Sequence, residues 1–261
     1  MDFAPTNRSA TSNPDQHLVL IPTYNTGAKL VETVKTALEY WRPVWIVIDG
    51  STDGSGDMLT SQVRSTQGVR VIRLPENRGK GAAVLAGMAE ASKQGYSYAL
   101  VMDADGQHPP ERIPEFMRIS KANPASMVLG VPEFGSEAPM SRKYGRRVGN
   151  WWSQLETLWG GIKDSLFGFR VYPIEESLKA MASTSRGRRF DFDTELAVRL
   201  YWAGVQPINV PVPVRYLSRL EGGVSHFHFV RDNVLLVRTH VCLVLSMLAR
   251  LPALCRLRLA R

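Results

Sequence analysis

Four short runs, apolar but for His17, Arg70 and Arg73, cover residues 17–21, 44–48, 69–74 and 98–102 and alternate with segments of helical periodicity, and this alternation constrains the fold more than any other feature of the chain. Lys29–Tyr40 places Leu30, Val34, Ala37 and Leu38 on one helical face, a second helix is expected over 55–64, and Lys80–Lys93 reads as an Ala-rich third. A helix over 111–120 and a fifth strand over 126–130 continue the pattern. Runs that stay apolar at every position belong to strands buried on both faces. The expectation is therefore an α/β fold: a mostly parallel central sheet with helices on both faces. Such sheets bind ligands beyond the carboxyl ends of their strands, where the strand order reverses.

Polar and glycine-rich sequence follows each of the four runs. The first ends in Pro22-Thr23-Tyr24-Asn25, the second in Asp49-Gly50-Ser51-Thr52-Asp53-Gly54 and the third in Pro75-Glu76-Asn77-Arg78-Gly79-Lys80-Gly81. The fourth ends in Met102-Asp103-Ala104-Asp105-Gly106-Gln107-His108-Pro109. Residues two apart on an extended backbone share a face, so Asp103 and Asp105 can aim at one point, with Gln107 a step further. Hard oxygen donors of this kind suit Mg²⁺ or Mn²⁺, which take one or two carboxylates and complete their shell with water and phosphate oxygens. A lone Asp-x-Asp is as readily a solvated turn. Four polar loops at one sheet edge point to a nucleotide site.

The ordered set Ile21-Pro22-Thr23-Tyr24-Asn25, Asp49-Gly50-Ser51-Thr52-Asp53, Asn77-Arg78-Gly79-Lys80-Gly81 and Asp103-Ala104-Asp105-Gly106-Gln107-His108-Pro109 resembles family 2 glycosyltransferases, and among them the dolichyl- and polyprenyl-phosphate sugar transferases. The resemblance is dense over 17–130 and thins over 140–230. It implies a GT-A fold and inverting, metal-dependent transfer of a hexose from a UDP- or GDP-sugar to a lipid-linked acceptor. Pro22, Tyr24, Asn25, Asp49, Lys80, Asp103, Ala104 and Arg219 are then expected to bind the nucleotide sugar, and Asp103, Asp105 and Gln107 the metal. Tyr24 would offer a ring face to the base, and Asp49 would accept a hydrogen bond from base or ribose. Lys80 opens a helix between two glycines and could meet phosphate with its charge and the helix N-terminus, or be an ordinary surface lysine.

On the acceptor side, Asp164-Ser165-Leu166-Phe167-Gly168-Phe169-Arg170 resembles a family segment in which serine is usual where Phe167 stands. Phe190-Asp191-Phe192-Asp193-Thr194-Glu195 resembles an acidic helix start near the acceptor, and equally a helix cap. Arg219 to His226 resembles a loop that closes over the diphosphate, with His226 in place of a lysine. A lipid phosphate needs no general base, being already an anion. A hydroxyl acceptor needs one, and Asp105, Asp164 and Asp193 form the catalytic set, with Asp164 the first choice as base and Asp193 the second. Arg142, Lys143, Arg146 and Arg147 would suit an acceptor phosphate or form a solvated basic face. With His226, the arginines Arg142, Arg146 and Arg147 make up the expected acceptor side.

The second half of the chain is less regular. A Trp-rich helix is expected over 141–159, a strand over 166–172, a helix over 193–202 and a proline-bearing edge strand over 206–212. One apolar helix is expected over 227–251, ended by Pro252 and followed by Leu-Arg alternation. Its arginines and apolar residues suit an interfacial element on an anionic membrane, or a helix packed on the domain or on a second copy. Charges interrupt it, so the chain is read as peripheral rather than transmembrane. The organisation expected is a disordered polar lead over 1–16 without a signal sequence, a catalytic domain over 17–226 whose nucleotide-sugar half covers 17–130 and whose acceptor half covers 131–226, and the C-terminal helix over 227–261.

The net charge of +8 calls for an anionic partner, and the two cysteines, Cys242 and Cys255, fit a reducing cytoplasm. A nucleotidyltransferase would carry a Gly-rich basic loop after its first strand, which this chain lacks. Nucleic acid is not expected as a partner, because the C-terminal arginines interleave with apolar residues and no binding module is recognisable.

Overall fold

A computed structural model describes residues 16–63, 66–134, 140–214 and 229–259. Seven strands form one sheet in the order β3-β2-β1-β4-β6-β5-β7. Strands β1 (His17–Thr23), β2 (Val44–Asp49), β3 (Val69–Leu74) and β4 (Tyr98–Val101) are all parallel, linked by helices α1 (Lys29–Tyr40), α2 (Ser55–Val63) and α3 (Lys80–Lys93). The chain runs outward from β1 to β3, then returns to place β4 on the other side of β1. The order reverses there, and the loops after β1, β2 and β4 meet at that edge.

Burial explains the apolar runs. Leu18, Leu20, Trp45, Val47, Ala99 and Val101 point to one face of the sheet, against α3 and the later helices α6 (Ile174–Ala182) and α7 (Phe192–Trp202). Val19, Ile21, Ile46, Ile48, Leu100 and Met102 point to the other, against α1, α2 and α4 (Ile113–Ala122). Both faces are covered, so the polar residues of β1 and β2 are confined to the strand ends, at His17, Thr23 and Asp49.

The second half departs from the sequence reading in three ways. The expected strand over 166–172 is shortened to β6 (Arg170–Pro173), which lies antiparallel between β4 and β5 (Ser126–Glu133). Residues before it fold into a loop around Asp164 instead. Helix α6 is not anticipated at all. Helix α8 (Phe229–Leu259) continues through Pro252, so that proline does not end it. A proline costs its own N–H and a clash with the preceding turn, and the helix-favouring Ala253, Leu254 and Arg256 resume beyond it. Helix α5 (Met140–Glu156) stops where Leu158 and Trp159 turn left-handed. Strand β7 (Gln206–Pro213), rich in proline, takes the expected edge, pairing in parallel with β5.

Helix α8 is long and apolar enough, by length and composition, to cross a membrane over Val230–Arg256. The sequence reading treated its arginines as interruptions, although one uninterrupted helix carries them. The helix is inverted relative to an ordinary surface helix. Its inner face buries Asp232, Thr239 and His240 against the domain, with Leu243 and Met247, while Val230, Val234, Val237, Val241, Leu245, Leu248 and Leu251 are exposed. Thr239 bonds Asp191, and His240 bonds Glu156 of α5. The expected lead over 1–16 lies, apart from Gln16, outside the described residues.

Candidate active site

One cavity of about 1190 Å³ begins at the reversal point of the sheet and extends to the space between α5 and α8. Pro22, Tyr24 and Asp49 line one end, Lys80, Asp103, Ala104, Asp105 and Gln107 the middle, and Arg146, Trp152, Arg231, Leu236 and His240 the other end. Thus most of the residues expected at the donor site border one space.

At the nucleotide end, Asp49 is buried and accepts the backbone N–H groups of Arg78 and Gly79, each at 2.8 Å. It fixes the loop before α3 and borders the cavity with its remaining lone pairs. Asn25 is drawn the other way. Its side chain accepts the Thr52 N–H at 2.8 Å and its own N–H donates to Ser51, so it clasps the first two loops together outside the cavity lining. Ala104 holds α1 in place, its carbonyl accepting the Thr33 hydroxyl at 3.1 Å.

Lys80 is the hinge of the site. Its ammonium lies 2.7 Å from Asp103 Oδ1 and 2.8 Å from Asp193 Oδ2. Burial alone would favour the neutral amine, but the two carboxylates prevail and lift it above the ordinary lysine range. The flanking glycines serve packing. A Cβ on Gly79 would overlap the Arg188 carbonyl, and one on Gly81 the Gly187 carbonyl. Ala82 donates its N–H to Arg188 O at 3.1 Å, so the first turn of α3 is partly capped by protein. Gly168 is small for a related reason: a Cβ there would press on Lys80 Nζ and Asp103 Oδ2.

Desolvation works against ionisation of Asp103, and the Lys80 charge outweighs it, holding its carboxyl below the usual range. Asp105 moves upward, first through desolvation and then through the neighbouring Asp103 charge. Asp105 Oδ1 accepts the Gln107 N–H at 3.0 Å, which turns the loop back on itself. Two hard carboxylates whose charges oppose each other fit a divalent ion that would relieve the repulsion. Among the described residues no three His, Cys, Asp or Glu side chains cluster to enclose an ion, so donor phosphates and water would complete the shell.

His108 forms the wall behind this pair. Its Nδ1 accepts the Asp103 N–H at 3.0 Å, which requires the neutral ring, and burial lowers its pKa in agreement. Phe167 and Phe169 pack their edges on it, with ring centroids 4.7 and 5.4 Å away. The unusual Phe167 is therefore a buried partner of His108.

Asp164 and Asp193 lie differently from each other. Asp164 accepts Arg146 Nη1 on both oxygens at 2.8 Å, Asn150 at 3.3 Å, and the N–H groups of Leu166 and Phe167 at 3.0 and 2.7 Å. A carboxylate so engaged organises its loop and is a poor general base, contrary to its first place in the sequence reading. Asp193 borders the cavity, with Lys80 on one oxygen and the Tyr172 hydroxyl 3.5 Å from the other. Arg146 is tied to Asp164, and Arg147 is exposed outside the cavity lining. The side chain of Arg142, and both Arg219 and His226, lie outside the described residues.

Sequence reasoning missed Arg170. Fully buried, it donates to the carbonyls of Phe167, Asp193 and Asp164 and to Tyr172 Oη at 2.6 to 3.0 Å. It braces the loop around Asp164 against the start of α7. The signal available was an arginine inside the apolar run Phe169-Arg170-Val171-Tyr172, where a buried charge demands partners. Trp152, Arg231 and His240 at the far end of the cavity, and Glu156 buried behind His240, were also missed.

A seven-stranded, mostly parallel sheet with its candidate site at the reversal point and an acidic pair after the fourth strand is a fold of the GT-A type. Residues 18–177 match Glycosyl transferase family 2, and the chain belongs to that family and is a glycosyltransferase. It is 30% identical over 234 residues to the polyprenol monophosphomannose synthase of Mycolicibacterium smegmatis, covering 83% of each chain. It is 26% identical over 220 residues to the undecaprenyl-phosphate mannosyltransferase of Micrococcus luteus, covering 79% of this chain and 88% of that one. In fold it is similar to the glucosyl-3-phosphoglycerate synthase of Mycobacterium tuberculosis, solved with Mn²⁺, UDP-glucose and phosphoglyceric acid. The TM-score is 0.62 at 14% identity, over 89% of this chain and 79% of that one.

Proposed function

We propose that this glycosyltransferase moves a hexose, with inversion, from a UDP- or GDP-sugar to a polyprenyl phosphate at a membrane surface, with Mg²⁺ or Mn²⁺ on the donor diphosphate. The observation that carries this reading is one continuous cavity, which runs from the nucleotide end past Asp103 and Asp105 into a space lined by apolar residues of α5 and α8. Lipid-phosphate mannosyltransferases among its relatives support the acceptor class, and a structural neighbour that holds Mn²⁺ with UDP-glucose supports the metal.

In this reading Pro22 and Tyr24 hold the base while Asp49 shapes the loop beneath it. Asp103, Asp105 and Gln107 would hold the ion, whose contribution is to neutralise charge that builds on the departing diphosphate. Lys80 keeps Asp103 and Asp193 in register. The acceptor phosphate attacks the anomeric carbon from the far side, passing through a transition state with oxocarbenium character, so no base is required. Arg146 and Arg231 supply positive charge at that end, with Arg219 as a further diphosphate contact. The exposed apolar face of α8 docks on the membrane, its arginines meeting anionic lipid. We assign 17–226 to the catalytic domain and 227–261 to the docking helix, acting on the cytoplasmic face.

The test is transfer followed by mass spectrometry. Purified protein receives UDP-glucose, GDP-mannose and related donors, with Mn²⁺ or EDTA, with and without a short polyprenyl phosphate. A metal-dependent glycosyl lipid phosphate that Asp105→Ala abolishes is the expected product. Donor cleavage with transfer only to a lipid or glycan hydroxyl would move the acceptor class and return Asp193 as the base.

A further inference from the structure

The far end of the cavity holds a buried dyad that none of the family-like motifs contains. His240 of α8 is 6% exposed, and its Nδ1 lies 2.7 Å from Glu156 Oε1 of α5. Glu156 is fully buried, and burial pushes its carboxyl upward against the pull of His240. Trp152 stacks beside the ring at 6.2 Å between centroids. Among the described residues nothing bonds the other ring nitrogen, Nε2.

The surroundings show where that nitrogen faces. A Cβ built on Gly149 would come within 4.0 Å of His240 Nε2 and 3.9 Å of Ser165 Oγ, and both Gly149 and His240 border the cavity. Gly145 and Gly149, one turn apart on α5, leave a trough along that helix, which Leu236, Val237 and Val241 of α8 line from the other side. A glycine inside a helix costs about 1 kcal/mol relative to alanine, so the trough is held open against local preference. Arg146 and Arg231, paired with Asp164 and Asp232, border the same end.

We propose that His240, tethered by Glu156, is an acceptor-binding residue that hydrogen-bonds an oxyanion of the acceptor phosphate through Nε2. The assignment rests on the lipid-phosphate reading above and names the residue that recognises the head group. Glu156 fixes the ring by accepting a hydrogen bond from Nδ1–H, in the way a carboxylate orients imidazole in other sites. With Nδ1–H engaged, the neutral ring has only a lone pair on Nε2; the phosphate complex therefore carries a second proton there, and the doubly protonated ring donates a charge-assisted bond, stronger than a neutral one. The prenyl chain follows the trough between the two helices toward the exposed apolar face of α8. A buried strut between helices would need Glu156 and His240 too, but it would not need the second nitrogen turned to a cavity opened by two glycines.

The experiment uses the full chain with farnesyl phosphate and farnesol as probes. His240→Gln and Glu156→Gln are expected to raise KM for the lipid phosphate about tenfold or more, equivalent to ~1.4 kcal/mol, with donor KM within about twofold. In ¹⁵N-histidine spectra, farnesyl phosphate should produce one imidazole protonated on both nitrogens that is missing from His240→Gln, and farnesol should not. An acceptor KM unchanged in both variants, or a farnesol response equal to that of farnesyl phosphate, would overturn the assignment. Wild-type protein that cleaves donor but never glycosylates lipid phosphate would overturn the functional reading itself, and this inference with it.

Discussion

Lys80 Nζ donates to Asp193 Oδ2 at 2.8 Å across 113 positions of sequence, joining the start of α3 to the start of α7. Because the same ammonium holds Asp103, the end of β4 is tied in as well. Without it the two carboxylates would lose the cation they share. Lys80→Met is expected to lose about 3–5 kcal/mol of stability, the usual cost of removing one partner of a buried ion pair. A divalent ion on Asp103 would replace part of that charge. Thermal unfolding with and without Mn²⁺ checks this: the Tm gain should be larger in Lys80→Met than in wild type, and equal gains would contradict it.

Asp164 gives a prediction of the opposite kind. Its oxygens are filled by Arg146, Asn150 and two backbone N–H groups. Asp164→Asn should therefore lower stability by about 2–4 kcal/mol through the orphaned arginine. It should leave both limbs of the kcat pH profile in place. Disappearance of the acidic limb in this variant, with Tm unchanged, would reinstate Asp164 as the base.

Most of the residues expected at the donor end border one cavity because they stand at strand ends or in the loops that follow them. Once the apolar runs were seen as parallel neighbours, Pro22, Asp49 and Asp103 had to meet at one edge. The acceptor half was not readable by that logic. β6 has only four residues, and an apolar pattern carries no sign of strand direction, so its antiparallel insertion left no trace. Phe167 looked like a departure until His108 was found packed on it, a contact that depends on tertiary folding. Lys80 was read toward phosphate from its glycines, whereas those glycines admit the 187–188 backbone. His240 and Glu156 are single polar residues on two helices, and only the packing of α5 on α8 makes them a pair.

His17 sets a pH dependence of stability. It sits on β1, 4% exposed, stacked on Tyr98 with its Nε2 3.0 Å from Ser120 Oγ. Burial, and then the Lys121 charge, lower its pKa from 6.5 to about 4. The unfolded chain therefore binds the proton first as pH falls. Stability tied to His17 is complete above about pH 6.5 and drains away between 6.5 and about 4. Allowing for solvent screening, the loss amounts to about 2 kcal/mol. Urea unfolding across this range should show a shallower decline for His17→Gln than for wild type. Parallel curves would remove His17 as the cause.

The outer face of α8 supplies the last prediction. From Val230 to Leu251 its exposed apolar residues recur every three or four positions, a stripe about 32 Å long at 1.5 Å per residue. Leu245 and Leu248 are 62% and 56% exposed, so replacing them removes little packing from the domain. In a bilayer interface each would bury its side chain, worth about 1.5–3 kcal/mol. The double variant Leu245→Glu, Leu248→Glu should therefore bind anionic liposomes at least about 100-fold more weakly than wild type. Its Tm in the absence of lipid should stay within about 2 °C. Raised salt should weaken the wild type as well, because the exposed Arg238 and Arg250 act through screened charge. Liposome sedimentation decides the matter. Undiminished binding by the double variant would mean that this face meets something other than lipid, and sedimentation equilibrium would then test a second copy of the chain.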